Sequence, residues 1–179
     1  MTSPVTSIPQ EQLYTVISTF LQSVTGFSQQ LVIQGLPNRD AMPLASPGFA
    51  TMQITLANRL NYNIDTWGPT DPAPTSVNVE THYKGRLQVD FYGAASGDLA
   101  AIFASLWRDE TGCLALEPTC DPLYTDDPFL APLDDSEEQY EQRWTVNAYF
   151  QYNPVVSVPM TFANELEVTL VSVDEAYPP

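Results

Sequence analysis

The sequence predicts an α+β fold, with an antiparallel or mixed β-sheet and two helices packed on one of its faces. Three observations lead to this prediction. Two segments have the periodicity of apolar residues that is typical of helices. In several others apolar and polar residues alternate, as they do in half-buried strands. The helices and strands do not follow each other as regularly as in βαβ units. With 179 residues, 44% of them apolar, the chain can form a core without disulfides, and we expect a single domain over residues 1–179.

Two amphipathic helices are predicted. The first covers about residues 7–25, with Ser7 as its expected N-cap and Gly26 as its end. The second begins at Ser96, its expected N-cap, and closes at Gly112. Each has an apolar stripe at intervals of three and four residues, formed by Leu13, Val16, Ile17, Phe20, Leu21 and Val24 in the first helix, and by Leu99, Ile102, Phe103, Leu106 and Trp107 in the second.

Strands are predicted where apolar and polar residues alternate or where β-branched and aromatic residues cluster. Strict alternation means that one face of the strand is buried and that the other is polar. The expected strands are Leu31–Gln34, Phe49–Leu56, Val77–Gly93, Arg143–Gln151 and Leu166–Val173.

Two segments are predicted to be irregular. Trp67–Ser76 contains Pro69, Pro72 and Pro74 and is expected to project as a loop or hairpin tip, because proline interrupts both helices and sheet ladders. Residues 117–141 contain many carboxylates, no basic residue and several prolines, and are expected to form an acidic loop.

The charge balance excludes several kinds of partner. Twenty-two acidic residues face six basic ones, which gives a formal net charge of −16 and no basic patch along the sequence. Tight binding to nucleic acid or to an anionic membrane relies on clustered Lys and Arg, so neither is expected. No apolar run approaches the roughly 20 residues that span a bilayer, and the N-terminus lacks the features of a signal peptide.

No grouping of residues predicts catalysis, a cofactor or a metal. His82 is the only histidine and has no nucleophile motif to accompany it. The adjacent carboxylates of the acidic loop point in different directions and lack the alternating spacing of a calcium loop, which leaves solvated or interface charge, or adventitious cation binding. A local disulfide between Cys113 and Cys120 is geometrically allowed, but spacing alone does not establish it, and we expect free, partly buried thiols.

The polar face of the predicted sheet is the candidate interaction surface. It combines charges of both signs with tyrosines, a composition that suits a subunit interface, although a plain solvated face is the alternative. The candidate interface residues are Arg86, Asp90, Tyr92, Arg143 and Tyr149 on the sheet, Trp67 in the projecting loop, and Asp126 and Asp127 in the acidic loop.

A series of short segments keeps its order over roughly residues 35–178. They are Asn38-Arg39 with Met42-Pro43, Phe49–Met52, Leu87–Gly93, Arg108-Asp109, Pro122–Pro128, Glu138–Trp144, Gln151–Pro154, Pro159 with Phe162, and Asn164–Pro178. Taken together, these segments resemble the neck or tail terminator proteins of long-tailed bacteriophages.

The resemblance implies a structural protein of the virion with an α+β fold and no catalytic residues. Proteins of this family form a ring, usually six-fold, where the tail tube meets the head connector; they end tail polymerisation and give the connector a docking surface. The implied partners are further copies of the chain, expected as a hexamer, the tail tube or sheath subunits, and the head–tail connector protein. Viral DNA is expected to pass through the opening without specific binding.

Two expectations accompany this interpretation. The protein is expected in the neck or tail of the virion after synthesis in the host cytoplasm. The strong negative charge suggests that the acidic loop lines the opening, where it would repel the phosphates of passing DNA. Another head- or tail-completion adaptor is the alternative function, and a metal-dependent hydrolase that uses the acidic loop is a remote one.

Overall fold

The computed structural model describes residues 4–35, 48–68, 76–131, 133–134 and 140–160. These residues form an α+β fold, as predicted. The elements in chain order are β1 (Val5–Thr6), α1 (Gln10–Thr25), a 3₁₀ turn (Gln29–Leu31), β2 (Val32–Gln34), β3 (Phe49–Arg59), β4 (Ile64–Trp67), β5 (Ser76–Glu80), β6 (Tyr83–Tyr92), α2 (Ser96–Leu106), α3 (Glu110–Leu116), β7 (Asp121–Thr125), β8 (Phe129–Leu130), β9 (Leu133–Asp134), β10 (Tyr140–Glu141), β11 (Arg143–Tyr152) and β12 (Val155–Pro159).

The main sheet is mixed and has six strands. Its order is β2-β3-β6-β11-β7, and β8 pairs with β11 on the same side as β7. β2 runs parallel to β3, whereas the other pairs are antiparallel. The long strands β6 and β11 pair over their whole length, from Arg143 opposite Tyr92 to Tyr152 opposite Tyr83, and so form the centre of the sheet.

A second, antiparallel sheet has the order β1-β12-β5-β4. Ser7 holds β1 against β12 through two hydrogen bonds. Its backbone N–H donates to the carbonyl of Val155, and its side-chain oxygen accepts from the amide of Val155. β9 and β10 form a separate two-stranded ladder.

The core lies between the helices and one face of the main sheet. Alternate residues of β6 and β11 are fully buried on this face, because the period-2 geometry of a strand sends them all to the same side. They pack with the apolar stripes of the helices, so that the core contains Leu87, Val89, Phe91, Val146, Ala148 and Phe150 from the sheet and Leu13, Ile17, Phe20, Leu21, Phe103, Trp107 and Leu116 from the helices.

The first helix is three residues shorter than predicted at its start. It begins at Gln10, after Pro9 in an extended conformation, and Ser7 does not cap it because the Ser7 side chain bonds to β12. Gly26 does end the helix: it adopts the left-handed conformation with φ 72° and its N–H returns to the carbonyl of Gln22.

The second predicted helix is two helices, α2 and α3. The chain is extended at Asp109, which ends one helical segment and starts the next. Gly112, expected to close the helix, lies inside α3. A Cβ there would come within 2.3 Å of the carbonyl oxygen of Trp107, so glycine is what allows α3 to pack against the end of α2.

Three strand predictions need correction. Val77–Gly93 is not one strand but β5 and β6, which belong to different sheets because the amides of Thr81 and His82 leave the ladder for Pro154 and Asn61. The acidic loop contains β7 and β8, which pair with β11. β12 follows the Asn153-Pro154 turn, where no strand was predicted, and the predicted strand Leu166–Val173 lies outside the described residues.

The predicted projecting segment is the connection of a hairpin. β4 pairs antiparallel with β5, with Trp67 opposite Val77, and residues 69–75 between them lie outside the described residues.

Candidate interaction surface

The face of the main sheet opposite the helices, called here the outer face, collects most of the candidate interface residues. They come together because they alternate with the core residues of β6 and β11. In register, Arg143 lies opposite Tyr92, Thr145 opposite Asp90, and Tyr149 opposite Arg86.

One end of the outer face is closed. The rings of Phe49 and Tyr92 stack with centroids 4.3 Å apart, and the two side chains are only 1% and 4% exposed. Asp90, 8% exposed, accepts hydrogen bonds from Thr145 Oγ1 and from Gln88 Nε2. Asp90 and Tyr92 were expected on an exposed surface, but the chain itself buries them, and they stabilise the sheet instead.

The other end of the outer face is open and carries what we call the cationic tyrosine patch: Lys84, Arg86, Tyr124 and Tyr149. The Lys84 ammonium donates to Tyr124 Oη at 2.6 Å and lies 4.8 Å and 4.7 Å from the ring centroids of Tyr124 and Tyr149. These distances are in the range of cation–π interactions. Arg86 Nε donates to Thr55 Oγ1 at 2.9 Å, and this hydrogen bond holds the Arg86 side chain on the side of the patch toward β3.

The remaining candidates divide between this surface and other places. Asp126 borders the patch, where its carboxylate accepts from Tyr149 Oη at 3.2 Å, and Asp127 follows it as an exposed residue. Arg143 Nε donates to the Ala131 carbonyl at 2.9 Å. Trp67, 57% exposed, ends β4 in the second sheet and does not join the patch.

Sequence reasoning missed Lys84 and Tyr124. Lys84 is two residues from Arg86 in an alternating strand, and this spacing alone places both on one face. Tyr124 had no such signal, because its strand lies in a segment whose prolines and carboxylates indicated a loop.

Few of the charges in the described part of the chain are paired. Within this part, His82 Nε2 lies 2.9 Å from Glu80 Oε1, which is an ion pair when His82 is protonated. No described Lys or Arg lies within 4 Å of a described carboxylate, although acidic residues outnumber basic ones by 22 to 6 in the sequence. Lys84, Arg86 and Arg143 instead contact hydroxyl oxygens, a carbonyl oxygen and aromatic rings.

A model of the phage neck terminator proteins matches residues 11–174. The chain belongs to the phage neck terminator family. No curated protein sequence matches it. The match covers every described strand except β1 and every described helix except the first residue of α1, and it confirms the resemblance on which the sequence interpretation rested.

Membership gives this neck terminator a structural role in completing the neck and tail of a phage, in contact with other head or tail proteins. None of the helices in the described part of the chain is long and apolar enough to cross a membrane. The same part contains no group of three or more His, Cys, Asp and Glu residues that could hold a metal ion.

Two open clefts in the described part of the chain lack converging reactive groups. One, of about 590 Å³, lies between α1 and β2 and is lined mainly by Gln, Ser and Thr side chains, with Glu11 as its one carboxylate. A second, of about 540 Å³, separates the two sheets and is lined mainly by aliphatic and tyrosine side chains.

Both cysteines of the neck terminator are free. Cys113 is exposed on α3, and Cys120 is buried in the core. Burial, with a smaller contribution from the charge of Asp121, raises the pKa of Cys120 to about 12. The Cys120 thiol is therefore protonated and unreactive at neutral pH.

Proposed function

We propose that the chain forms a ring at the phage neck that ends the tail tube and docks it to the head connector. The observation that carries the proposal is the family match over residues 11–174. A six-fold ring is the form that this family resemblance implies. The proposed partners are further copies of the chain, tail tube or sheath subunits, and the connector protein.

The physical requirements of a ring fit the surface of the chain. A cyclic assembly needs two different, complementary patches on each subunit. The open end of the outer sheet face presents cations, and the helix side presents exposed carboxylates, with Arg108 as an exposed cation between α2 and α3; none of these charges has an ion-pair partner among the described residues. A subunit of this kind presents unpaired charges on two opposite sides, and each side can form ion pairs with a neighbouring copy.

The net charge of −16 also suits a channel for DNA. A surface rich in carboxylates repels phosphate, so that DNA slides past it and is not retained. We propose that acidic residues face the opening and that viral DNA passes without specific binding. A ring in which the segment from residue 117 to residue 141 lies on the outer rim would contradict this part of the proposal.

Two measurements test the proposed function. Light scattering of the purified chain, with electron microscopy of the particle along its symmetry axis, should reveal a closed ring at the head–tail joint. Phage that lack the protein should produce tails of excessive and variable length, because tube polymerisation is not stopped. Full heads without attached tails, with tails of normal length, would instead favour the second candidate, another head- or tail-completion adaptor, which the neck description of the family also fits.

A further inference from the structure

We propose that neighbouring copies of the chain contact each other through the cationic tyrosine patch of one copy and an acidic stripe on helices α2 and α3 of the next. This inference rests on the proposed ring and assigns the two surfaces that build it. It concerns Lys84, Arg86, Tyr124 and Tyr149 on one side and Asp98, Ile102, Glu110, Leu114 and Glu117 on the other.

The patch has the character of an interaction hot spot. Tyr124 is 43% exposed, and its ring stacks on that of Tyr149 with centroids 4.5 Å apart. Lys84 is held over both rings, so little side-chain entropy remains to be lost when a partner binds. Tyrosine and arginine are the residue types that most often dominate binding energy.

Among the described residues, the cations of the patch have no anionic partner. The Lys84 ammonium has three N–H donors, one of which is used by Tyr124 Oη, and Arg86 uses its Nε toward Thr55. No described carboxylate is within ion-pair distance of either side chain. The remaining N–H donors indicate that the partner is acidic. Every copy of this chain, with a net charge of −16, is such a partner.

The helices present the complementary surface. Glu110 and Leu114 of α3 and Glu117, the C-cap residue that directly follows the helix, are separated by four and three residues, and all three are exposed. In α2, Asp98 and Ile102 have the same spacing and are also exposed. Leu114 is 65% exposed and Ile102 43%, so the acidic stripe also presents apolar side chains.

The positions of the two surfaces determine the kind of assembly. The stripe lies on the helices, which pack on the inner face of the main sheet, and the patch lies on the outer face of that sheet. A contact between the patch of one copy and the stripe of the next is head-to-tail, and it continues from copy to copy until a ring closes. A pair of copies cannot satisfy both surfaces, which distinguishes this contact from that of a two-fold dimer.

A nucleic-acid role for the patch is disfavoured by its own surroundings. Asp126 hydrogen-bonds to Tyr149 at the border of the patch, and its carboxylate would repel phosphate. The test below nevertheless includes DNA, so that the two partners are separated.

The test exchanges the charges of the two surfaces. Two variants are made, K84E/R86E and E110K/E117K, and their masses are measured by light scattering and native mass spectrometry, with circular dichroism to confirm folding. Each variant alone presents like charges at every contact and is expected to associate at least about ten-fold more weakly than the unchanged chain. An equimolar mixture is expected to regain association, because alternating copies restore opposite charges at every contact. The four changes combined in one chain should do the same.

A neutralising variant and a matched control complete the test. K84Q/R86Q removes two positive charges from the patch, and Q29E/Q30E adds two negative charges at exposed residues of the 3₁₀ turn near the other edge of the sheet. Only K84Q/R86Q is expected to weaken association. Fluorescence anisotropy with a labelled DNA duplex is expected to show no binding by the unchanged chain at 0.15 M salt; binding that K84Q/R86Q abolishes, with association unchanged, would overturn the inference.

Failure of the contact and failure of the ring give different results. The same variants are also compared by their incorporation into phage particles, so that a chain that assembles only on the tail is still tested. A ring that forms equally well with K84Q/R86Q would overturn this contact and leave the proposed function standing. An unchanged chain that is solitary both in solution and in particles would overturn both.

Discussion

The rings of Tyr124 and Tyr149 stack across neighbouring strands at an angle of 24°, with their centroids 4.5 Å apart. Tyr149 belongs to the central strand β11, whereas Tyr124 belongs to β7, in the segment richest in carboxylates. The stack therefore connects the acidic segment to the rigid centre of the sheet, and it provides the surface over which Lys84 is held. Aromatic pairs of this kind contribute about 0.5–1.5 kcal/mol beyond the area that they bury.

The first prediction concerns the exposed tyrosine of this pair. Tyr124→Ala should weaken self-association about ten-fold or more, because it removes an aromatic anchor and releases the Lys84 side chain. The free energy of unfolding should fall by only about 1–2 kcal/mol, since the stack on Tyr149 is lost but the ring is partly solvated. Tyr62→Ala is the matched control, because Tyr62 is 93% exposed and belongs to the connection between β3 and β4, not to the patch. Equal association of the two variants, measured by light scattering, would argue against the anchor role.

The second prediction concerns Gly85, the third residue of β6, which pairs with Phe150 of β11. A Cβ at this position would come within 2.4–2.8 Å of the buried ring of Phe150, which has no room to move. Gly85→Ala should therefore lower the free energy of unfolding by about 1–3 kcal/mol, the usual effect of overpacking. Gly35→Ala is the control, since its nearest contact would be an ordinary 3.4 Å. Urea denaturation measures both, and similar midpoints for the two variants would contradict the packing argument.

The third prediction concerns Trp107, which is fully buried and donates from its indole Nε1 to the carbonyl of Tyr149 at 3.0 Å. The ladder between β11 and β7 shifts register just after Tyr149, so the indole serves a carbonyl at an irregular point of the sheet. Trp107→Phe should cost about 2–4 kcal/mol of unfolding free energy, since it leaves both a cavity and an unsatisfied carbonyl. Because Trp107 contacts β11, the strand that carries Tyr149 of the patch, Trp107→Phe should also weaken association more than Phe20→Leu does. Loss of stability without that extra loss of association would mean that the indole does not position Tyr149.

The sequence and the structure agree where local periodicity coincides with packing. The stripe of α1 and the alternation of β6 and β11 each define one buried face, and this was enough for the α+β class and for placing Arg86 and Tyr149 together. The predictions failed where tertiary pairing overrides local signals. β7 has a proline and two carboxylates nearby, yet it forms because β11 offers an unpaired edge.

Burial at the closed end of the outer face was also beyond local reasoning. Alternation assigns Asp90 and Tyr92 to the polar face of the sheet, but it carries no information about what covers that face. The aromatic partner Phe49 comes from β3, about forty residues earlier in the chain, and its pairing with Tyr92 depends on register. The division of the second helix at Asp109 likewise depends on the close packing that Gly112 allows.

The fourth prediction concerns Cys120 and alkaline pH. Its pKa is raised by burial to about 12 in the folded chain from an ordinary value of 9.0, so above pH 9 the unfolded chain loses the thiol proton while the folded chain keeps it. The contribution of the Cys120 thiol to the free energy of unfolding is fully present below pH 9. It declines as the pH rises from 9 toward 12, by up to about 1.4 kcal/mol per pH unit. Urea denaturation at pH 8 and pH 10 should show a smaller decline for Cys120→Ala than for the unchanged chain. Iodoacetamide should label exposed Cys113 rapidly and Cys120 only after unfolding, and rapid labelling of both in the folded chain would contradict its burial.

The fifth prediction is that self-association depends on salt in two opposite ways. Copies with a net charge of −16 repel each other over tens of ångströms, whereas the proposed pairs between Lys84 or Arg86 and the helix carboxylates act only at contact. Salt screens the long-range repulsion first, because the Debye length falls from about 30 Å at 0.01 M to about 8 Å at 0.15 M. Association measured by light scattering should therefore strengthen over this range and weaken again toward 1 M, where the Debye length of about 3 Å also screens contact pairs. The variant K84Q/R86Q should keep the rise and lose the later fall, since it lacks the pairs that high salt weakens. A steady loss of association from the lowest salt upward would contradict this prediction. It would mean that attraction between copies outweighs the repulsion expected from their net charge of −16 even at low salt.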